Sequence, residues 1–291
     1  MGRLHSSVSE WLGAGIERAF RAIPRALGRR IGPTDAWLDG PIGADGPVGP
    51  EYYGALARAG GLHLVDDPAA GLLPSFSALR GEGFNPEAVD GRIRDFYERT
   101  AQYSLTVGAR WSPLFWPLGW LLVRTVSRRI AQLNLPLHPR ETAAGMTSRV
   151  LHLRDPSTGR TVHAGWLRTQ VATGHAVYVG LYGIAQPPGE RGPCVRVIFP
   201  LPHGCSTVLL RPSVRRDGSF LLSSDGRAFG TAGYYRIHQG RDGVRRARYV
   251  RALKESFRLW VGADGFVRTD HQVRFFRVPI LRLRYVVRPS V

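Results

Sequence analysis

Lysine is nearly absent from this sequence of 291 residues. Lys254 is the only lysine among 40 basic residues, and all the others are arginines. Together with 35 glycines and 21 prolines, this bias is typical of a GC-rich bacterial genome. We therefore do not take the net charge of +18 as a sign of a nucleic-acid partner, although a basic surface would still attract an anionic one.

Cysteine is also scarce, with Cys194 and Cys205 as the only two. A hairpin turn centred on Pro202 and His203 would leave them several residue pairs apart, so we expect no disulfide and a cytoplasmic protein. The N-terminus lacks an apolar secretory segment, and no run of about 20 apolar residues could cross a bilayer. These absences leave open peripheral association with the inner face of the membrane.

Motifs that bind cofactors and metals are missing as well. No glycine-rich loop follows a strand and opens a helix, which disfavours a dinucleotide or P-loop site. The sequence has no CxxC or HExxH motif and no GxSxG nucleophile elbow, and its nine histidines are scattered. We therefore expect neither a cofactor nor a metal ion.

The sequence divides into four segments by composition. Residues 1–31 have the spacing of a basic amphipathic helix, which would lie either on its own domain or on an anionic membrane surface. Residues 32–86 are predicted to be a Gly/Pro-rich linker and irregular segment, in which residues 51–59 could form a short helix. Residues 87–146 are predicted to be a helical cover, opening with a helix from Glu87 to about Tyr103. In residues 147–291 apolar and polar side chains alternate as they do in strands, so this segment is predicted to be the antiparallel β domain.

A tryptophan-rich stretch, residues 111–123, is the most unusual part of the predicted cover. It is too short to span a bilayer. It has two interpretations: an interfacial or pocket-wall segment in which Trp116 and Trp120 contact a ligand, or a buried helix over residues 117–133 that covers the sheet.

The clearest pattern lies in residues 249–287, which read as three antiparallel strands. A loop at Ala263–Gly265 would place Phe257 opposite His271. A second turn at Arg277–Pro279 would place His271 opposite Tyr285. This register puts the apolar residues on an inner face and a row of arginines on the outer face: Arg258, Arg268, Arg274, Arg282 and Arg284.

The inner face carries the candidate site residues. His271 lies between Phe257 and Tyr285, Glu255 lies diagonally across from it, and Arg251 continues the row. Glu255, His271 and Tyr285 could form a mutually satisfied hydrogen-bonded group, an acid–base set for catalysis, or the polar end of a ligand pocket.

The predicted fold is α+β: N-terminal helices followed by a large curved antiparallel β-sheet or partly open barrel with a covering helix. The leading functional hypothesis is non-enzymatic binding of a hydrophobic or amphipathic small molecule, at a membrane surface or away from one. The first alternative is a small-molecule cyclase, isomerase or hydrolase that uses Glu255 and His271. The second is nucleic-acid binding through the arginine-rich faces, which we do not favour because these faces offer few aromatic side chains for stacking.

Overall fold

The computed structural model describes residues 28–43, 46–117, 146–171, 174 and 176–290. Fourteen strands within these ranges form one sheet. They are β1 (Arg29–Arg30), β2 (His63–Asp66), β3 (Tyr103–Trp111), β4 (Met146–Arg154), β5 (Thr161–Gln170), β6 (Ala176–Ala185), β7 (Cys194–Leu201), β8 (Gly204–Val214), β9 (Phe220–Ser223), β10 (Gly233–Gln239), β11 (Arg245–Tyr249), β12 (Leu253–Val261), β13 (Val267–Phe275) and β14 (Val278–Pro289).

The sheet is open, with β2 and β3 at the two ends of its main strand order, β2-β4-β5-β6-β7-β8-β9-β12-β13-β14-β3. All pairings between these strands are antiparallel. The long strand β8 divides the sheet, because its first half pairs with β7 and β10 while its second half pairs with β9. Strand β11 continues from β10 and pairs in turn with β1. The large antiparallel sheet predicted from the sequence is confirmed.

The predicted N-terminal helices are not supported in the described residues. Two α-helices lie entirely within them, α1 (Tyr52–Gly60) and α2 (Gly91–Glu98), together with four 3-10 turns. The segment before residue 146 instead supplies β1, β2 and β3, which pair with later strands. Neither described helix is long and apolar enough to cross a membrane. The helices predicted over 1–31 and 117–133 lie almost entirely outside the described residues.

Helix α2 is shorter than the helix predicted from Glu87 to about Tyr103. Pro86 opens a 3-10 turn rather than the helix itself. The helix begins only after Asp90, whose side chain accepts a hydrogen bond from the backbone N–H of Arg92. It ends before Arg99, and Tyr103 already belongs to β3. Pairing with β14 takes the last predicted helical residue into the sheet.

Residues 32–86 pack against the sheet, unlike the extended linker that their composition predicts. Trp37, Leu38 and Tyr53 are buried in the cluster that covers the outer face of β4–β8. Leu72 and Phe76 are buried in a second cluster, which lies on the inner side. Both faces of this half of the sheet are therefore covered. The predicted central strand, now β6, is buried accordingly on both faces.

The first turn of the C-terminal meander has the predicted geometry. Phe257 lies opposite His271 and Val261 opposite Val267. The loop Ala263–Gly265 connects β12 and β13, and Gly265 takes the left-handed conformation, with φ of 79°.

The second turn differs from the prediction. Phe275 pairs with Val278 across a two-residue turn, in which Phe276 has φ of 54°. Ile280 is then an extra, bulged residue, so that Val273 lies opposite Leu281 and His271 opposite Leu283. The predicted pairing of His271 with Tyr285 is therefore wrong by two residues. Because the shift is even, the predicted inner face of β14 is preserved.

Tyr53 anchors α1 on the outer face of the sheet. Its hydroxyl is 3.0 Å from the carbonyl oxygen of Trp166 and 2.9 Å from that of Gly180. The ring lies over Gly165, where an added Cβ would be 2.3 Å from Cε1 of Tyr53. Helix α1 can approach β5 this closely only because residue 165 has no side chain.

We expect Gly165→Ala to lower the free energy of unfolding by about 1–3 kcal/mol, because the methyl group would force Tyr53 away from the sheet. Gly108→Ala in β3 is the matched control, since a Cβ there would meet no atom within 4 Å. That control should leave stability unchanged or raise it by about 0.5 kcal/mol. Denaturant unfolding measures both, and equal effects of the two substitutions would contradict the close contact.

Candidate functional site

The inner side of the curved sheet encloses a cavity of about 370 Å³. Leu72, Phe96 and Tyr97 line it at one end. Trp111, at the end of β3, and Ile280, at the bulge of β14, line it towards the other. Most of the described lining side chains are aliphatic or aromatic. The polar ones are Arg168, Thr269, Glu255, His271 and the tyrosines Tyr97, Tyr178, Tyr182, Tyr234 and Tyr285.

Glu255 and His271 meet in this cavity, as the register of β12 and β13 predicts. Glu255 Oε2 lies 3.5 Å from His271 Nε2, and the two side chains are only 15% and 11% exposed. The imidazole stacks on Phe257 with ring centroids 3.8 Å apart. Neither ring nitrogen makes a hydrogen bond of good geometry. The two side chains are thus in contact and mostly shielded from water, and both imidazole nitrogens lack a hydrogen-bond partner.

Tyr285 shares the cavity but is not the direct neighbour of His271. It lies opposite Thr269 in β13 and opposite Val107 in β3. Burial raises the pKa of its hydroxyl, and the positive charge of Arg168 partly offsets that rise.

Two of the lining tyrosines, Tyr178 and Tyr182, lie on β6 and place their hydroxyl groups side by side. The Tyr178 hydroxyl donates to that of Tyr182 over 2.9 Å. Burial is the main cause that raises the pKa of both phenols, and the negative charge of Glu255 adds to the rise in each. Both remain protonated at neutral pH, and because Tyr178 donates its proton to Tyr182, the proton of Tyr182 stays available for a bound molecule.

Arg168, on β5, is the cavity residue that sequence reasoning missed. It is only 6% exposed, and its guanidinium carbon lies 5.5 Å from the ring centroid of Trp166 and 5.4 Å from that of Tyr285. Its Nε and Nη2 have no hydrogen-bond partner. The available signal was the period of two, since Arg168 follows Trp166 by two residues and so shares its face.

Two other predicted ligand contacts, Arg251 and Trp116, are not brought into the cavity. Arg251 is exposed in the turn before β12, where a backbone hydrogen bond from Leu253 to Val250 interrupts the strand alternation. Trp116 is half-buried beyond the end of β3 and is not among the described lining residues. Trp120 lies outside the described residues. No group of three or more His, Cys, Asp or Glu residues in the described ranges is placed to hold a metal ion.

The outer arginine row is largely engaged with aspartates. Arg258 pairs with Asp217 at 2.7 Å, Arg268 with Asp264 at 2.6 Å, and Arg282 with Asp270 at 2.6 Å. These pairs leave this face with fewer free guanidinium groups for a phosphate backbone than the sequence suggests.

We expect a double-mutant cycle of Glu255→Gln and His271→Leu to give a coupling energy of about 1–2 kcal/mol, because the two groups interact away from water. Arg191 and Glu82 are the reference pair, at 3.1 Å but 81% and 68% exposed. Their cycle, with Arg191→Met and Glu82→Gln, should give less than about 1 kcal/mol. Chemical denaturation measures both cycles. A coupling near zero for the buried pair would show that the 3.5 Å contact contributes nothing.

Comparisons with known proteins identify no relative that would assign a function to this cavity. No protein-family model matches the chain, and no curated protein or solved structure matches it significantly.

Proposed function

We propose that this protein binds a hydrophobic or amphipathic small molecule in the cavity enclosed by the curved sheet. The observation that supports this most strongly is the composition of the cavity lining. Aromatic and aliphatic side chains form most of the wall around about 370 Å³, and besides tyrosines and tryptophans only four of the described lining side chains are polar: Arg168, Glu255, Thr269 and His271. Small-molecule sites commonly combine an apolar wall with a small number of polar groups that orient the ligand.

Blocking the cavity should abolish binding. Val273 lines the cavity, whereas Gln272 beside it has the opposite orientation in the strand and hydrogen-bonds to Asp270. Val273→Trp would fill the cavity, and Gln272→Trp would add the same side chain outside it. We expect native mass spectrometry to find a co-purified apolar molecule on the wild type and on Gln272→Trp, and none on Val273→Trp.

The same variants can be titrated with an environment-sensitive apolar dye, so that the test does not depend on what co-purifies. The proposal fails if the wild type takes up neither a native molecule nor the dye. It also fails if Val273→Trp, shown to be folded by its thermal melt, binds as the wild type does.

An apolar rim beside the cavity supports the proposal that the ligand is exchanged at an anionic membrane surface. The rim consists of Leu114, Phe275, Phe276 and Val278, which are 77%, 44%, 66% and 44% exposed. Phe276 donates its backbone N–H to the carbonyl of Ala252, so the rim adjoins the turn that contains Arg251. Ser112 hydrogen-bonds to Ile280, a cavity-lining residue, so the rim is continuous with the cavity wall.

The chemistry of the rim favours a bilayer over another protein as its partner. Arg251 and Arg277 are exposed beside the exposed phenylalanines, and neither forms an ion pair within the described part of the chain. Aromatic side chains with adjacent arginines suit the lipid interface, where rings enter the head-group region and guanidinium groups meet phosphates.

We expect the wild type to float with phosphatidylglycerol vesicles and a Phe275→Ser, Phe276→Ser double variant to lose most of that binding, because the apolar insertion is gone. Leu64→Ser is the control, since Leu64 is 43% exposed but lies on edge strand β2. It should float like the wild type. No flotation of the wild type, or a rim-dependent dimer without lipid, would exclude the membrane role.

Acid–base catalysis on the bound molecule is the second candidate. The contact between Glu255 and His271 within a mostly apolar cavity favours it, because a carboxylate and an imidazole within reach of one bound molecule can act as proton acceptor and proton donor. The molecule that co-purifies with Glu255→Gln discriminates between the candidates. A different molecule from that on the wild type would indicate substrate held without turnover, and the same molecule on both would indicate binding alone.

A further inference from the structure

Arg168 carries an unpaired charge inside the cavity wall. Its side chain lines the cavity, the residue is only 6% exposed, and Nε and Nη2 have no hydrogen-bond partner. No carboxylate of the described residues lies within ion-pair distance of this guanidinium; the acidic groups paired with arginines there face other partners. An arginine keeps its charge at every physiological pH. A buried charge of this kind is costly unless an anion compensates it.

Glu255 is the only carboxylate among the described lining residues, and it is already engaged. Its Oε2 lies 3.5 Å from His271 Nε2. This carboxylate is therefore directed at the imidazole and not at the guanidinium of Arg168. Among the described residues no carboxylate remains to compensate Arg168, which makes an anion that enters the cavity the partner that fits it best.

The surroundings of Arg168 suit an anion with two oxygens. Its guanidinium lies against the ring of Tyr285, and Tyr178 is its direct partner across β5 and β6. Tyr178 and Tyr182 share a hydrogen bond and stay protonated, because burial raises the pKa of both phenols. A carboxylate could accept two parallel bonds from the guanidinium and a further one from a phenol.

The charge balance favours a carboxylate over a phosphate. The single guanidinium among the described lining residues balances the one negative charge of a carboxylate but not the second charge of a phosphate monoester. The rest of the described lining is mostly apolar and suits a hydrocarbon chain. We propose that Arg168 binds the carboxylate of an amphipathic acid, such as a fatty acid, whose chain occupies the apolar part of the cavity. This inference rests on the proposed function, since it names the ligand class of the same cavity.

Lauric acid and lauryl alcohol test the inference, because they share a chain and differ in the head group. By calorimetry, the wild type should bind laurate roughly tenfold or more tightly than the alcohol, since charge-assisted hydrogen bonds form only with the acid. Arg168→Met keeps an apolar side chain of similar length and should bring the two affinities to within about threefold of each other. Arg168→Lys should retain part of the preference, because it keeps the charge but loses the planar fork.

Arg160→Met is the matched control, because Arg160 is an exposed arginine just before the same strand. It should keep the full preference for laurate. Equal binding of acid and alcohol by the wild type would overturn the role of Arg168 while leaving the proposed function intact. Absence of binding for both ligands, and for the apolar dye, would instead reject the proposed function.

A measurement on the wild type keeps the inference testable if Arg168→Met does not fold. Carbon NMR of carboxyl-labelled laurate follows the ionisation of the bound acid as the pH is lowered. Next to Arg168 the bound carboxyl group should stay ionised to a lower pH than free laurate, because the guanidinium stabilises the anion. A bound carboxyl group that takes up its proton at a higher pH than the free acid would place it away from Arg168 and overturn the inference.

Discussion

The aromatic cluster around Phe220 determines that the curved sheet encloses a cavity. Phe220 is fully buried, and its ring contacts those of Phe76, Phe84 and Tyr97 at centroid distances of 5.2 to 6.0 Å. These rings bring the 3-10 turns and α2 against the inner face at one end of the strands. Aromatic packing of this kind is dense, so it closes that end of the cavity. The cavity begins where this packing stops, at Leu72, Phe96 and Tyr97.

Arg168, Glu255 and His271 place polar groups among the apolar side chains of this cavity. Hydrophobic packing would be served as well by leucine at positions 168, 255 and 271, without the cost of removing charges from water. Arg168 and His271 nevertheless keep nitrogen atoms without hydrogen-bond partners in the interior. Unused hydrogen-bonding capacity that faces a cavity is typical of sites where the partner is a ligand.

A single β-hairpin carries both part of the cavity wall and most of the rim. Strands β13 and β14 carry the cavity wall through Val273 and Leu281, and the same hairpin ends in Phe275 and Phe276. The bulge at Ile280 lets two successive residues, Ile280 and Leu281, both face the cavity just before the exposed tip. The bulge therefore extends the apolar lining of the cavity towards the exposed tip.

The sequence by itself determined the faces of the C-terminal meander. The alternation of side chains is a local property of each strand, and the Ala263–Gly265 loop sets its register, so the contact of His271 with Phe257 and Glu255 was predictable. Tyr285 was placed in the right cavity but beside the wrong partner, because a bulge depends on how a hairpin packs and leaves no local signal.

Only the tertiary structure decided which distant segments complete the sheet and the cavity. Strand β3 was predicted within a helical cover, but pairing with β14 satisfies its backbone, and β-structure is more sensitive to such context than helix is. Arg168 could be assigned to a strand, yet its burial depends on Trp166 and on Tyr285, a residue more than a hundred positions away. Contacts between residues so far apart follow from the topology of the whole sheet, which the local pattern of a single sequence does not encode.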